Sequence, residues 1–493
     1  MDFVGENCGV AAALSFNGES VLLNLYWALL TLNHRGHQSY GILTFDGDFR
    51  VFKDLGLVAD LDFQKLSFWN EELSGSLGIA HVRYATSGDF SKVQLLADAQ
   101  PCLVGDGERR LAIAYNGNIV NVINLRRFLL ERGVEFRGTS DAEVLAHALL
   151  NSIDAEGDVV EGVKEFMGKV DGSYSVVGVT GEGILFAFRD PHGIRPLVYG
   201  FDSERKLLLI ASESVALNVN GVKFERFLSP GELVIVDKSR IESCVLCNRG
   251  EALCAFEYAY FARPDSILAD GRYVYEVRRE LGRSLARRYS DVASRVDVIV
   301  PVPQTAVDAA YGFHEEAGKP IEPLIVRHRY VKHRAFIMSA EERDFILSRK
   351  YNILLDRVDG KRIALIDDSI VRGDTLKHVI RVLKGAGAVE VHVFSTFPKI
   401  ISPCFYGIDM ATFHELVGFN RSDEEVAEIL GADSVNYQTV SDFCSAVGHD
   451  RLCLACVTGN YPTPYAQKLA DMARSEAFMG RGISGRIVET LGG

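Results

Sequence analysis

Three groups of residues in this chain carry chemistry by type and spacing. The first is Arg362-Ile-Ala-Leu-Ile-Asp-Asp-Ser-Ile-Val-Arg-Gly-Asp-Thr375. Its apolar run, Ile363 to Ile366, reads as a buried strand. Asp367 and Asp368 close that strand, and a small polar loop runs from Ser369 to Thr375. An amphipathic stretch, Leu376 to Leu383, reads as a helix punctuated by Gly385 and Gly387. A strand, an acidic pair, a Gly/Ser/Thr turn and a helix start make a phosphate cradle, because backbone N–H groups and the positive end of the helix dipole hold a dianion. The acids stand where they can grip sugar hydroxyls or a magnesium ion. The plainer reading is an ordinary strand-to-helix turn capped by Asp and Ser. The second group is Cys8, which precedes the small apolar run Gly9-Val-Ala-Ala12 and, taken alone, is most often a buried thiol. The third is a pair of CxxC spacings, Cys244/Cys247 and Cys453/Cys456, each a weak metal signal by itself.

The elements that position these residues divide the chain in two. Its 493 residues suffice for two or more domains with sizeable cores. An apolar content of 47% and a charged content of 24% are those of a soluble globular protein. No apolar run is long enough to span a bilayer, and the N-terminus lacks a basic region and a long apolar core, so no secretory signal is read and a cytoplasmic location is expected. A net charge of −13 argues against general nucleic-acid binding. Nine cysteines are an odd count, which makes a disulfide framework a poor expectation. In the first half a helix from Val21 to Leu32 and short β-type runs at Leu111 to Ala114, Gly183 to Phe188 and Leu207 to Ala211 suit a layered sheet domain ending near Arg249. The second half opens with a basic helix, Tyr273 to Tyr289. A continuous apolar strand, Val296 to Val300, then begins a βα alternation that runs through Val393. That pattern predicts a mostly parallel sheet with ligands at the strands' carboxyl edge.

The letters add a resemblance. Asp367-Asp-Ser-Ile-Val-Arg-Gly373 is similar to the phosphoribosyl pyrophosphate (PRPP) loop of type I phosphoribosyltransferases, in the form found in glutamine PRPP amidotransferases. Further matches are Asn7-Cys-Gly9, Asn33-His-Arg-Gly36, His81-Val-Arg-Tyr-Ala-Thr-Ser87, Tyr115-Asn-Gly-Asn-Ile119, Ser140-Asp-Ala-Glu143, Arg189-Asp-Pro-His-Gly-Ile-Arg-Pro196, Ala211-Ser-Glu-Ser214, Pro230-Gly-Glu232 and Phe256-Glu-Tyr-Ala-Tyr-Phe-Ala-Arg-Pro-Asp-Ser266. The chain is thereby identified as a member of that family, from Cys8 to about Pro462. The fold implied is an N-terminal-nucleophile (Ntn) hydrolase-like αββα sandwich followed by a type I phosphoribosyltransferase domain, a combined α/β and α+β architecture. The implied division is a propeptide at 1–7, the amidotransferase domain at 8–250, the phosphoribosyltransferase domain at 251–465 and a C-terminal helical tail at 466–493.

The resemblance also implies roles. Removal of 1–7 makes Cys8 the nucleophile, with its new α-amino group, of intrinsic pKa about 8, as base. Asn116 and Gly117 form the oxyanion hole. Arg35, Arg83 and Asp141 bind glutamine, Arg83 clamping the α-carboxylate through two parallel hydrogen bonds. An ion-pair role for Arg35 and helix-capping roles for Ser140 and Asp141 are the plainer readings, and Asn-Gly alone signals a tight turn. PRPP is held by Asp367, Asp368, Ser369, Arg372, Gly373 and Thr375, and by Gln304 and Thr305 of the Pro301-Val-Pro-Gln-Thr305 loop. Arg329, Arg334 and Lys350, from a basic loop that closes over the substrate, complete that set. Magnesium is assigned to Thr305, Asp367 and Asp368. Some family members hold a [4Fe-4S] cluster, and Cys254, Cys404, Cys453 and Cys456 stand at the corresponding places; tetrahedral zinc would use the same four ligands. The implied activity is amidophosphoribosyl transfer, giving 5-phosphoribosylamine from PRPP and glutamine in the first step of purine synthesis. Ammonia passes between the two sites, purine nucleotides act as feedback inhibitors, and the assembly is a homodimer or homotetramer. Departures from the family letters at His37, Gln38, Tyr40, Tyr115, His192, Gln304 and Asp374 keep two alternatives open: a paralogue with one inactive site, such as an ammonia-only phosphoribosyltransferase, or a non-catalytic nucleotide-binding regulator.

Overall fold

The computed structural model describes residues 8–61, 69, 71–84, 91–107, 109–237, 240–268, 271–328, 349, 351–410, 412–480, 487 and 490. Among them, the strand Gly9–Ser15 shows why the N-terminal part folds as it does. Its side chains alternate between two cores. Ala11 and Ala13 join Leu22, Leu25 and Leu29 of the helix Leu22–Thr31, while Val10, Ala12 and Leu14 face Ala112, Ala114, Val177 and Val179 of a second sheet. A strand covered on both faces carries no polar alternation.

This strand lies in an antiparallel sheet ordered Arg226–Phe227, Val198–Asp202, Leu207–Ala211, Gly9–Ser15, Leu77–Arg83, Ser39–Phe45, Phe49–Leu55. The facing antiparallel sheet runs Ile241–Val245, Glu232–Val236, Leu185–Arg189, Gly172–Thr180, Leu111–Ile119, Cys102–Val104. The helices Val122–Leu130, Asp141–Glu156 and Val159–Lys169 cover its outer face through a separate core around Leu145, Leu149, Val163 and Phe166. The result is an αββα sandwich.

The C-terminal part is built on a parallel sheet ordered Val298–Pro301, Arg362–Asp367, Glu390–Pro398, Ser434–Gln438. The helices Val274–Arg288 and Val307–Ala317 pack on one face around Phe313 and Phe394. Asp374–Gly385 and Asp423–Leu430 pack on the other, around Val379, Leu383 and Leu430. Pro301 pairs with Ile366, so the loops after these two strands leave the same carboxyl edge side by side.

A short parallel pair, Leu253–Cys254 with Leu452–Cys453, ties the junction between the parts to the end of the chain. The helix Pro464–Phe478 follows it and packs Ala466, Leu469 and Ala470 into the junction core. No helix among the described residues is long and apolar enough to cross a membrane.

Candidate active sites

Cys8 sits just before the strand Gly9–Ser15. Its thiol donates to the Tyr84 carbonyl at 3.6 Å. Burial pushes that thiol up, against the Tyr84 hydrogen bond and the nearby Arg83, which pull it down; Asp141 raises it and Arg35 lowers it. Arg83, buried at the end of the strand Leu77–Arg83, lies 3.8 Å from the Asp98 carboxylate. Asp98 in turn accepts hydrogen bonds from Thr139 N at 2.8 Å, Thr139 Oγ1 at 2.9 Å and Ser140 N at 3.2 Å. It therefore fixes both Arg83 and the chain entering the helix that begins at Asp141.

Asn116 and Gly117 are not in a tight turn. They lie within the strand Leu111–Ile119, in register with Ser175 and Tyr174. Gly117 has a φ of +151°, and a β-carbon there would stand 2.0 Å from the Ser173 carbonyl oxygen, so only glycine keeps this register. The Asn116 amide is buried, and neither its oxygen nor its nitrogen has a hydrogen-bond partner among the described residues. An unpartnered buried amide costs roughly 1–3 kcal/mol, which marks it as a group awaiting a ligand.

The Ser140 side chain makes no cap hydrogen bond at the start of the helix Asp141–Glu156. The Asp141 carboxylate accepts from the Tyr115 hydroxyl and, at 3.5 Å, from Ile119 N. Burial, then Asp141, push the Tyr115 hydroxyl well above the usual phenol range, so it stays protonated and donating. Tyr115 thus fills its departure from the family letter with a defined bond.

Arg35, expected on glutamine, is placed otherwise. It is fully buried, and its Nε donates to the Cys8 carbonyl at 3.2 Å. Its remaining nitrogens bond Glu213 and, at 3.1 and 2.7 Å, Glu257. Arg195 reaches the same Glu257 at 3.4 Å, and His34 reaches Glu213 at 2.7 Å. The reason is electrostatic: a buried guanidinium needs counter-charges, and two carboxylates from distant parts of the chain supply them. Arg35 positions the backbone of Cys8 and bonds the two parts of the chain together.

The second site lies at the carboxyl edge of the parallel sheet. Asp367 and Asp368 end the strand Arg362–Asp367, both buried. Asp368 N donates to Asp367 Oδ1 at 2.9 Å, the Ser369 hydroxyl to Asp368 Oδ1 at 2.8 Å, and Thr396 to the Asp368 carbonyl at 3.0 Å. Asp368 Oδ2 has no partner among the described residues. Burial, then the neighbouring Asp367, push Asp368 up to about 8. Gly373, with a φ of +85°, is the N-cap of the helix Asp374–Gly385, and Thr375 is buried in its first turn. Asp374 is exposed in that turn, where the helix dipole favours a carboxylate. Arg372 pairs with Glu415, its Nε at 2.9 Å. Gln304 is exposed and Thr305 half-buried in the turn after the strand Val298–Pro301. Arg329, Arg334 and Lys350 lie outside the described residues, as do residues 1–7.

Other departures are built into the fold. Tyr40 is buried beside Phe52. His192 bonds the Gly250 carbonyl at 3.0 Å through Nδ1, and its own carbonyl accepts from Ala252 N at 2.8 Å.

Four cysteines converge at the junction. Cys254 and Cys453 are register partners, and Cys404 accepts from Tyr406 N at 3.3 Å. Burial raises the thiols of Cys254, Cys453 and Cys456; the other cysteines add to it for Cys453 and Cys456, while for Cys254 Arg195 opposes it and Glu257 and Cys404 add to it. None of the four is in a disulfide. No three His, Cys, Asp or Glu side chains among the described residues gather as a single ion would require. Cys102, Cys244, Cys247 and Cys444 stand apart from this group. Sequence reasoning missed Asp98, Glu257 and Glu415; only Glu257, in Phe256-Glu-Tyr, lay inside a quoted motif.

A family model described as a glutamine amidotransferase domain matches residues 87–219. The amidophosphoribosyltransferase of Methanocaldococcus jannaschii is 38% identical, with 92% of this chain and 98% of that one covered. The Bacillus subtilis enzyme is 35% identical over 94% of this chain and 96% of its own length. A solved structure of B. subtilis glutamine PRPP amidotransferase, complexed with ADP and GMP, matches with a TM-score of 0.82 and 34% identity, covering 93% of this chain and 98% of that one. The sandwich, its unpartnered strand amide and the parallel sheet behind it define a glutamine amidotransferase joined to a second catalytic fold. Within that class, the chain belongs to the amidophosphoribosyltransferase family.

Proposed function

We infer that this protein is a glutamine-dependent amidophosphoribosyltransferase, a pentosyltransferase that converts PRPP and glutamine to 5-phosphoribosylamine, the first step of purine biosynthesis. The observation that carries the site assignment is the Asn116 amide: buried, without a partner among the described residues, and next along the strand to Tyr115, which lies within the field of Cys8. In this reading the Cys8 thiolate attacks the glutamine amide carbon. The Asn116 side-chain N–H and the Gly117 backbone N–H donate to the developing oxyanion, each such donor worth roughly 2.7–4 kcal/mol of barrier. Arg83 pairs with the α-carboxylate and Asp141 with the α-ammonium. Ammonia leaves, and water hydrolyses the Cys8 thioester to glutamate. The 1–7 segment is the propeptide, and the amidotransferase part extends to about 250.

Ammonia then passes within the protein to the parallel-sheet site and displaces pyrophosphate from PRPP. Ser369, Gly373 and Thr375 cradle the 5-phosphate at the helix start, while Asp367 and Asp368 grip the ribose hydroxyls. Arg372, Gln304, Thr305, Arg329, Arg334 and Lys350 complete the assigned set around the pyrophosphate. Asp367, Asp368 and Thr305 would hold magnesium, the two adjacent buried carboxyls offering oxygens, one of them without a partner among the described residues, once the shared proton is displaced. Magnesium supplies charge neutralisation for the leaving pyrophosphate. Cys254, Cys404, Cys453 and Cys456 are the thiols that would hold a [4Fe-4S] cluster, with tetrahedral zinc the alternative for the same four ligands. Its role is structural. Purine nucleotides are the expected feedback ligands, in keeping with the ADP and GMP in the B. subtilis complex, and the assembly is a homodimer or homotetramer in the cytoplasm.

The test is glutamate release from glutamine by the mature protein, with and without PRPP and magnesium. Release strongly stimulated by PRPP is expected; no release under either condition would overturn the glutaminase half.

A further inference from the structure

One short segment of the C-terminal part reaches across to the strand that bears Asn116 and Gly117. The Asn118 side-chain amide donates to the Phe405 carbonyl at 2.9 Å. The Ser173 hydroxyl donates to the Tyr406 carbonyl at 2.9 Å, and the buried Arg195 Nε donates to the same carbonyl at 2.9 Å. Asn118 and Ser173 are register partners on adjacent strands, flanking Gly117. Gly407 completes the contact: its φ is +101°, and a β-carbon there would stand 3.0 Å from the Gly117 carbonyl oxygen. The segment is itself anchored, since the Tyr406 hydroxyl bonds Thr463 at 2.9 Å and Tyr406 N donates to Cys404 Sγ.

We propose that Cys404–Gly407 is a brace behind the Gly117 carbonyl that holds the peptide following Gly117, and so limits rotation at the glycine whose N–H donates from the preceding peptide, with Asn118, Ser173 and Gly407 as positioning residues for glutamine cleavage. The physical argument is directional. An N–H helps only if it is aimed at where the oxyanion forms, and a peptide tilted by tens of degrees loses most of that benefit. Glycine supplies no side chain to hold its own peptide plane, so the orientation at Gly117 comes from its surroundings. Those surroundings are the pairing of its strand with Ser173–Ser175 on one side and Gly407, against the Gly117 carbonyl, on the other. The ammonia-dependent reaction at the distant parallel sheet does not use the Gly117 peptide. The proposal rests on the reading of Asn116 and Gly117 as oxyanion donors.

The test compares Gly407→Ala and the milder Ser173→Ala with Asn116→Ala as a control on that reading. The expected result is a fall in kcat for glutamate release of about tenfold in Gly407→Ala and about threefold in Ser173→Ala, a fraction of what deleting a donor costs. The KM for glutamine, the rate of Cys8 alkylation by iodoacetamide and ammonia-dependent pyrophosphate release should all stay within about twofold. Glutamine and ammonia reactions falling in parallel would overturn the proposal, as would an effect on glutamine KM alone or no effect on glutamate release. If Gly407→Ala does not fold, Ser173→Ala decides by the same criteria. Full glutamate release by Asn116→Ala would instead overturn the oxyanion reading itself.

Discussion

The two candidate sites treat charge in opposite ways. Around Cys8 every ionic group described has a protein counterpart: Arg83 has Asp98, Arg35 has Glu213 and Glu257, and Asp141 has the Tyr115 hydroxyl. At the parallel sheet, two carboxylates stand side by side at one strand end, and their closeness contributes to pushing Asp368 up to about 8. The first site is balanced before substrate arrives, so its donors are already aimed. The second holds one of its two carboxyls protonated until a cation and the sugar hydroxyls replace that proton on binding. Selectivity for a small zwitterion suits the first arrangement, and binding of a metal–pyrophosphate complex suits the second.

Cys8→Ala should break the comparison most completely. Glutamate release falls to background, while ammonia-dependent pyrophosphate release stays within about twofold, because only the first site uses the thiol. Next comes Glu257→Ala, which strips a counter-charge from Arg35 and Arg195. Removing one partner of a buried pair costs about 3–5 kcal/mol, so thermal unfolding should shift down by several degrees and both reactions weaken together. Asp368→Asn sharpens the contrast by splitting stability from activity. PRPP turnover should drop about 10²-fold, yet the ligand-free protein should melt higher at neutral pH, because the buried Asp368 carboxyl, pushed up to about 8, has to take up a proton on folding and an amide does not. Cys8 gives the finest test through the pH midpoint of its alkylation. Arg83 pulls the thiol down and Asp141 pushes it up. Arg83→Gln should therefore move the midpoint to higher pH and Asp141→Asn to lower pH. Shifts in the same direction would show that the two charges do not act on the thiol separately.

How far these sites were readable beforehand depended on the range of the forces involved. The strand, acidic pair and helix from Arg362 to Gly385 followed from local periodicity, and the structure differs there mainly in starting the helix at Asp374 rather than Leu376. The Asn116-Gly117 pair defeated local reasoning. Asn-Gly signals a turn by its own preferences, but pairing with Gly172–Thr180 overrides them and carries the strand on to Ile119. Arg35 was ambiguous for a related reason: its carboxylates lie 178 and 222 residues away in sequence, beyond any window of periodicity. Ser140 and Asp141 have the letters of helix caps, yet Tyr115 from another strand claims the Asp141 carboxylate. The contact of Phe405 and Tyr406 with Asn118 and Ser173 is made largely through backbone carbonyls, which leave no trace in residue identity.

The buried ion network at the junction bears on modularity. Arg35 and Arg195 belong to the sandwich, while Glu257, which both of them reach, comes from the segment that follows it. A gene fragment ending near Arg249 would bring both guanidiniums but leave that carboxylate behind. The sandwich would then have to expose or neutralise charge that the intact chain keeps dry. Excision or domain shuffling at the apparent linker is therefore disfavoured, and a transplantable glutaminase cassette from this protein has to carry residues through at least Glu257.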